Sequence, residues 1–236
     1  NVSPGTYTEQ VVLNNIPGSS ATNNISFIGT GDNVLLTAAP SQNENYVMLL
    51  DSTSNVTLSR FRIEARPPSG NFANALVLQK GGNIALDSMT VRVRGSINNA
   101  NASAVVLLGN ISNLSLTNST IDSGYYSFRT AGEEGNYSNI TLTNNTFHGF
   151  WSQAIVVRGV TNFTANSNNI QGGISGSVNV NGRGLTGIYL AQSAGNISVQ
   201  KNKIVLVDSK TGGKTGIQFE NINCSSSNPA LIANNM

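Results

Sequence analysis

Charged side chains and the only histidine of the sequence fall at corresponding places in successive segments. Glu64, Arg92, Asp122, His148 and Gln171 follow one another at intervals of 28, 30, 26 and 23 residues. If these segments stack, the side chains project from one surface about 4.8 Å apart. Such a column suits a sugar acid, with His148 or Arg92 carrying a proton and Arg92 clamping the carboxylate. The alternative is a surface row of favourable charge pairs.

Aromatic residues are concentrated between positions 125 and 151. Four of them do not fit the interior pattern, and we expect them at the surface. Exposed rings beside charged groups stack on sugars and bind cations or carboxylates nearby; the alternative is an insertion packed against the fold. The predicted ligand-binding residues are Trp151, Phe150, Tyr125, Tyr137, His148, Asp122 and Arg92.

Arginine residues supply the remaining candidates. For an enzyme, the catalytic candidates are Arg92, His148, Arg129 and Arg158. A second group could bind an acidic polysaccharide or form a solvated face that Glu64 and Asp87 partly neutralise. This predicted basic patch consists of Arg60, Arg62, Arg66, Arg92 and Arg94.

A repeated segment must position these residues. Each copy reads Asn, apolar, polar, apolar, two polar residues, a residue that is often Asn, one more, and then apolar. Clear copies begin at Asn55, Asn83, Asn113, Asn139, Asn162 and Asn196, and weaker ones begin at Asn24 and Asn228. Since a single copy cannot bury its apolar face, stacked copies must share one core.

A second apolar strand precedes each copy. Alternation predicts that one face is interior, at Val47, Leu49, Leu76, Leu78, Val105, Leu107, Ile155, Val157, Ile188, Leu190, Ile217 and Phe219. The opposite positions form an apolar outward column at Met48, Leu50, Val77, Val106, Leu108, Val156 and Tyr189. A loop such as residues 172–187, a neighbouring domain or another copy would cover it.

The pattern predicts an all-β fold, a right-handed parallel β-helix of about eight coils without substantial helix. Residues 1–236 form one domain, which we expect to be a segment of a longer chain cut at both ends. The ninth position of the copies, from Ile63 to Met236, is predicted core. The seventh predicts a structural ladder of stacked amides at Asn145, Asn168, Asn202 and Asn234.

The repeats resemble the pectin-lyase-like superfamily of right-handed β-helices. PGTYTEQV at positions 4–11 resembles a first-coil segment of that superfamily. PALIANNM at positions 229–236 is similar to a phrase in long secreted β-helix proteins of Bacteroidetes, many of which are exported by type 9 secretion. The resemblance implies a secreted or cell-surface location. The acidic clusters that its lyases and hydrolases use are absent from the sequence, and the fold hosts many activities.

Composition excludes several classes of function. Charged residues make up 10% of the chain and the net charge is +2, with no Lys/Arg cluster typical of nucleic-acid binding. No apolar run reaches the roughly 20 residues of a membrane span. Cys224 is the only cysteine, which leaves no disulfide or zinc pattern. We expect no metal and no cofactor.

These observations favour a non-catalytic, secreted, adhesin-like or carbohydrate-binding module. Its expected partners are a polysaccharide or cell-surface glycan and neighbouring domains of the parent chain. One alternative is a polysaccharide lyase that cleaves uronic-acid polymers by β-elimination. Another is an ice- or surface-binding array of Thr and Asn, which flat, regular Thr columns would favour; the outward columns of the sequence mix sizes and charges.

Overall fold

The computed structural model describes residues 1–31, 33–68, 71–95, 98–131, 136–172, 184–207 and 212–236. These residues form strands, turns and loops, and none of them lies in a helix. Each strand pairs in parallel with the strand three places further along the chain. The chain therefore winds as a parallel β-solenoid with three sheets, as the repeat predicted.

The three sheets each contain eight strands, numbered here in chain order. Sheet A consists of β1 (Gly5–Thr8), β4 (Val34–Ala38), β7 (Arg62–Ala65), β10 (Thr90–Val93), β13 (Thr120–Asp122), β16 (Thr146–His148), β19 (Asn169–Gly172) and β22 (Lys203–Leu206). Sheet B consists of β2 (Val11–Asn14), β5 (Met48–Asp51), β8 (Leu76–Leu78), β11 (Ser103–Leu107), β14 (Tyr126–Thr130), β17 (Gln153–Arg158), β20 (Leu185–Ala191) and β23 (Lys214–Glu220). Sheet C consists of β3 (Ile25–Ile28), β6 (Val56–Ser59), β9 (Gly81–Asp87), β12 (Ile111–Thr117), β15 (Tyr137–Thr143), β18 (Val160–Asn166), β21 (Ala194–Gln200) and β24 (Leu231–Ala233). The solenoid makes about seven turns, close to the predicted number.

The core runs along the axis of the solenoid. Side chains alternate in and out along each strand, and the inward ones pack on their equivalents in the coils before and after. The predicted ninth-position column is confirmed in the central coils, where Ile121, Phe147 and Ile170 are fully buried. Those three pair directly in adjacent strands of sheet A.

The first strand of the outward apolar column was predicted one residue out of register. Met48 pairs with Leu76, and Leu50 pairs with Leu78. Met48 and Leu50 therefore face the core, and Leu49 faces outward beside Val77. A slip of one residue exchanges the two faces of a strand because side chains alternate with a period of two.

The last repeat shows the same kind of slip. Val199 pairs with Ile232, an offset of 33 residues that places Asn235, not Asn234, opposite Asn202. The prediction of Asn234 as a ladder residue is therefore wrong. Met236 consequently falls beside Lys203 rather than Ile204, and it is 83% exposed instead of buried.

The predicted amide ladder is confirmed at its other positions. The backbone N–H of Asn145 donates to Oδ1 of Asn168 at 3.0 Å, and the N–H of Asn168 donates to Oδ1 of Asn202 at 2.9 Å. Each Nδ2 donates back to a carbonyl of the preceding coil, such as Leu142 for Asn168. These buried amides stabilise the turn between sheets C and A, since they satisfy backbone groups that water does not reach.

The asparagine that begins each copy has a separate structural role. Asn55, Asn83, Asn113, Asn139 and Asn162 have φ angles of 57°, 52°, 51°, 54° and 65°. Asparagine adopts this left-handed geometry more readily than most residues. The side chains form an exposed second ladder, in which each Nδ2 donates to the preceding Oδ1 at 2.8 to 2.9 Å. The sequence showed the recurrent Asn but not this ladder.

Candidate functional site

The predicted charged column exists on the outer surface of sheet A. Arg92 pairs with Glu64 and with Asp122 in the strand register, and Asp122 pairs with His148. His148 in turn lies beside Gln171. Parallel in-register stacking therefore confirms the column that the repeat spacing predicted.

Asp122 lies at the centre of this column and is only 9% exposed. Its Oδ1 lies 3.2 Å from Nδ1 of His148 and accepts a 2.9 Å hydrogen bond from Oγ of Ser123. Its Oδ2 lies 2.8 Å from Nε of Arg92. That N–H lacks hydrogen-bond geometry, so the contact is an ion pair. Burial opposes ionisation, but the His148 and Ser123 hydrogen bonds and the charges of His148 and Arg92 keep the pKa of Asp122 below its ordinary value.

Glu64 forms a second buried centre at the head of the column. Its side chain is 3% exposed, and its Oε1 accepts from Nε of Arg66 and from Nε of Arg94 at 3.0 Å. Burial raises the pKa of this carboxyl, but the two arginines outweigh that effect and hold it below its ordinary value. Three of the five arginines of the predicted basic patch are thus paired with carboxylates.

The aromatic residues are placed differently from the prediction. Tyr125, Tyr137 and Phe150 are 7%, 1% and 1% exposed, and all three belong to the main core. The expectation that they lie at the surface is therefore wrong. Trp151 is half-buried and stacks on Tyr125, with ring centroids 4.9 Å apart.

Two local features explain this burial. Tyr137 lies in the inward column of sheet C between Ile111 and Val160, two positions before the repeat's first Asn, where the sequence pattern was not extended. Phe150 packs on Gly172 so closely that a Cβ there would lie 2.5 Å from the ring. The ring occupies the space that a side chain at 172 would need.

Arg129 and Arg158 lie on sheet B, apart from the charged column of sheet A. Arg129 stands in the outward column between Val106 and Val156. Burial lowers the pKa of its guanidinium, whose Cζ lies 5.3 Å from the ring centroid of Tyr126. The structure therefore does not combine these two arginines with His148 in one site.

The predicted central positions of the outward column of sheet B are apolar, and Arg129 interrupts the column between Val106 and Val156. Val77, Val106, Val156 and Tyr189 are 3%, 0%, 6% and 6% exposed. Val77 pairs with Val106 and Val156 pairs with Tyr189, and Arg129 joins the two pairs into one column. Most of the predicted covering loop, residues 173–183, and residues 132–135 of the insertion near Arg129 lie outside the described residues.

Sheet C presents a surface that the sequence reading did not isolate. The outward positions of β12, β15 and β18 lie in register and carry no charge. This hydroxyl face consists of Ser115, Thr117, Thr141, Thr143, Thr164 and Asn166. In the sequence, this face corresponds to the recurrent Ser, Thr and Asn at the third and fifth positions of successive copies. The pattern alone did not separate these positions from the charged column of sheet A. The structure places the two sets on different sheets, and the outward columns of sheet C carry no charge in the coils of β12, β15 and β18.

The hydroxyl face is flat and regular. Equivalent side chains are about 4.8 Å apart between coils, and positions two residues apart are about 6.6 Å apart along a strand. Thr117 donates to Asp87 of the preceding coil at 2.8 Å. The Oγ atoms of Thr141, Thr143 and Thr164 have no hydrogen-bond partner within the described part of the chain. Those hydroxyls are available to an external surface.

The sequence matches no protein-family model, and no curated protein matches it significantly. No group of three or more His, Cys, Asp or Glu side chains among the described residues could hold a metal ion. Within the same residues, no helix has the length and apolarity that a membrane crossing requires.

Proposed function

We propose that this protein is a rigid, non-catalytic binding module that contacts an extended polysaccharide through the hydroxyl face. The observation that carries the proposal is the in-register, uncharged array on β12, β15 and β18. A polysaccharide repeats hydroxyl groups along an extended chain, and a fixed array can bond several of them with little loss of side-chain entropy. β-branched threonine strengthens this effect because its χ1 rotation is already restricted.

Two side-chain ladders, one buried and one exposed, support the rigidity on which the proposal depends. The inner ladder through Asn145, Asn168 and Asn202 fixes one end of these strands. The exposed ladder through Asn113, Asn139 and Asn162 fixes the bend within them. A preorganised surface binds more tightly than a mobile one that carries the same groups.

The test is a pull-down on insoluble cellulose, chitin and β-1,3-glucan. The double variant Thr141→Lys/Thr164→Lys places two bulky charges at the centre of the face and should reduce the bound fraction at least tenfold. The matched control is Thr120→Lys/Thr146→Lys, whose threonines are paired neighbours on the outer face of sheet A. Equal loss in both variants, or no binding by the parent protein, contradicts the proposal.

The same variants distinguish an ice-binding array, which a flat hydroxyl surface also favours. Thermal hysteresis in the parent protein that disappears in Thr141→Lys/Thr164→Lys, without retention on any glycan, would replace the polysaccharide by ice. Hysteresis in neither protein, with retention on one glycan, supports the proposal.

A second candidate function is a polysaccharide lyase at the charged column. The specific observation is the contact between Asp122 and Nδ1 of His148, which fixes the imidazole and leaves Nε2 to accept a proton from a uronic acid. Arg92 would balance the charge that develops on the sugar carboxylate. Incubation with alginate, pectate and chondroitin should then give unsaturated-uronate absorbance that His148→Ala abolishes and Lys203→Ala does not.

The location is part of the proposal. The repeat's resemblance to the pectin-lyase-like superfamily and to long secreted proteins of Bacteroidetes supports a secreted or cell-surface protein exported by type 9 secretion. Antibody labelling and protease treatment of intact cells should detect the protein outside the outer membrane. Detection only after lysis would contradict this part.

A further inference from the structure

The predicted basic patch divides into two groups in the structure. Arg66 and Arg94 are bound to Glu64, and Arg92 is paired with Asp122. Arg60 and Arg62 have no carboxylate within ion-pair distance among the described residues. Within this patch, Arg60 and Arg62 therefore carry the positive charge that no described carboxylate pairs with.

Both of these arginines line one open groove of about 390 Å³. The groove crosses the turns between sheets C and A in three successive coils, and its lining residues are Thr30, Gly31, Arg60, Phe61, Arg62, Ser88 and Thr90. Its volume is within the range of about 300–1,000 Å³ that small-molecule sites occupy. Here Phe61 occupies the ladder position that Asn145 and Asn168 hold in later coils, so a half-buried aromatic ring lines the turn in place of a buried amide.

Within the described residues, the guanidinium groups of Arg60 and Arg62 make only weak contacts with the rest of the protein. Nη1 of Arg62 lies 3.5 Å from Oδ1 of Asn33, at the outer limit of a hydrogen bond. Arg60 is exposed. Burial raises the pKa of Asp87, but hydrogen bonds to Asp87 and, as a smaller contribution, the charge of Arg60 hold that pKa below its ordinary value. Each planar guanidinium retains donors suited to two oxygens of one anionic group.

We propose that this groove binds an anionic sugar unit, carboxylated or sulfated, of a polysaccharide. Arg62 and Arg60 receive the anionic group, Thr30, Ser88 and Thr90 bond the ring hydroxyls, and Phe61 packs on the apolar face of the ring. A nucleic acid is a poorer fit because two arginines cannot contact a run of successive phosphates. The other arginines of the predicted basic patch are already paired with Glu64 and Asp122. The site is independent of the hydroxyl face and gives the protein a second, charge-selective contact.

Isothermal titration calorimetry with the full chain tests the groove. The probes are hexagalacturonate, a sulfated hexasaccharide and neutral maltohexaose, with inorganic sulfate and a short single-stranded DNA as competing chemistries. We expect binding of one or both anionic sugars, no binding of maltohexaose, and an affinity that falls as salt increases. Whether the carboxylated or the sulfated sugar binds identifies the natural group.

Variants assign the binding to the groove. Arg62→Gln should weaken the anionic sugar at least tenfold, and Arg60→Gln/Arg62→Gln should abolish binding. Arg158→Gln removes the same charge from an exposed arginine on sheet B and should leave affinity unchanged. Phe61→Leu should weaken the sugar more than inorganic sulfate, because only the sugar packs on the ring.

Several results would overturn the proposal. These are equal losses in Arg62→Gln and Arg158→Gln, equal affinity for maltohexaose, and tighter binding of DNA or sulfate than of either sugar. Asp32 lies outside the described residues, so Asp32→Asn is included, and binding seen only in that variant also overturns the proposal. Hexagalacturonate binding that persists in Thr141→Lys/Thr164→Lys shows that the groove does not depend on the hydroxyl face. Failure of the groove proposal can therefore be distinguished from failure of the hydroxyl-face proposal. Thermal unfolding of each variant confirms that the fold persists.

Discussion

Asn168 shows how a single side chain serves two coils at once. Its Oδ1 accepts the backbone N–H of Asn145, and its Nδ2 donates to the carbonyl of Leu142 and to Oδ1 of Asn202. The residue is 1% exposed, so no water replaces these bonds when the amide is removed. Asn139 forms similar bonds in the exposed ladder, where solvent can replace them.

We predict that Asn168→Ala lowers the free energy of unfolding by about 2–4 kcal/mol, because it leaves buried donors and acceptors unpaired. Asn139→Gly keeps the left-handed backbone and should cost about 1 kcal/mol or less. Urea denaturation followed by circular dichroism measures both. Equal losses would show that the inner ladder is no more important than the outer one.

Glu64 gives the stability a dependence on acid pH. Its pKa in the folded state is lower than the ordinary value of 4.5, so the unfolded state binds more protons as the pH falls. The stabilisation is complete above 4.5 and is lost as the pH falls through the lower folded-state pKa. Because Arg66 and Arg94 are 55% and 47% exposed, they remain partly hydrated without their partner.

Glu64→Gln should therefore lower the stability at neutral pH by about 1–3 kcal/mol and flatten the loss of stability below pH 4.5. Glu9→Gln, at an exposed glutamate of sheet A's first coil, should leave the profile unchanged. Denaturation series from acid to neutral pH measure the difference. Parallel profiles for the parent protein and Glu64→Gln would exclude this role.

At the scale of the strand, register determines which side chains reach the core. The apolar pattern assigned the inward residues of β12, β15 and β18 correctly after the first Asn of each copy, because apolar and polar residues alternate there over several positions. The pattern was ambiguous at Met48 and at β24, where consecutive residues are apolar and show no alternation. Only the partner strand fixes such a register, as Val199 does by pairing with Ile232.

The register of β24 predicts different effects for two adjacent asparagines. Asn235→Ala removes the acceptor that Asn202 uses at 3.0 and 2.9 Å, and it should increase amide exchange in β21 and β24. Asn234→Gly preserves a φ of 56° at an exposed residue and should leave exchange unchanged. Hydrogen exchange with mass spectrometry resolves the two segments. The reverse order of effects would restore the register expected from the sequence.

At the scale of the whole molecule, each coil rests on its two neighbours, so stability is distributed along the axis. Central strands such as β12, β15 and β18 have coils on both sides. The strands at the two ends of the described solenoid, such as β24, have one neighbour and are largely exposed. Local opening should therefore begin at the ends and require least energy there.

We predict a gradient of amide protection, with the slowest exchange in β12, β15 and β18 and the fastest in β1 and β24. Phe147→Ala, a change in a fully buried side chain, should cost about 3–5 kcal/mol and accelerate exchange in the adjacent coils before the distant ones. Time-resolved exchange of both proteins provides the measurement. Uniform exchange over all coils would indicate a single cooperative unit instead.

The sequence by itself determined the stacking, the central core, most of the inner ladder and the charged column from Glu64 to His148. Each depends on a strict local alternation or a recurrent residue, and parallel pairing simply repeats that pattern from coil to coil. The tertiary structure alone decided that Tyr125, Tyr137 and Phe150 are buried and which arginines pair with carboxylates. It also separated the uncharged hydroxyl face from the charged column. Those outcomes depend on contacts across turns and on which sheet a position joins, and residues distant in the chain determine both.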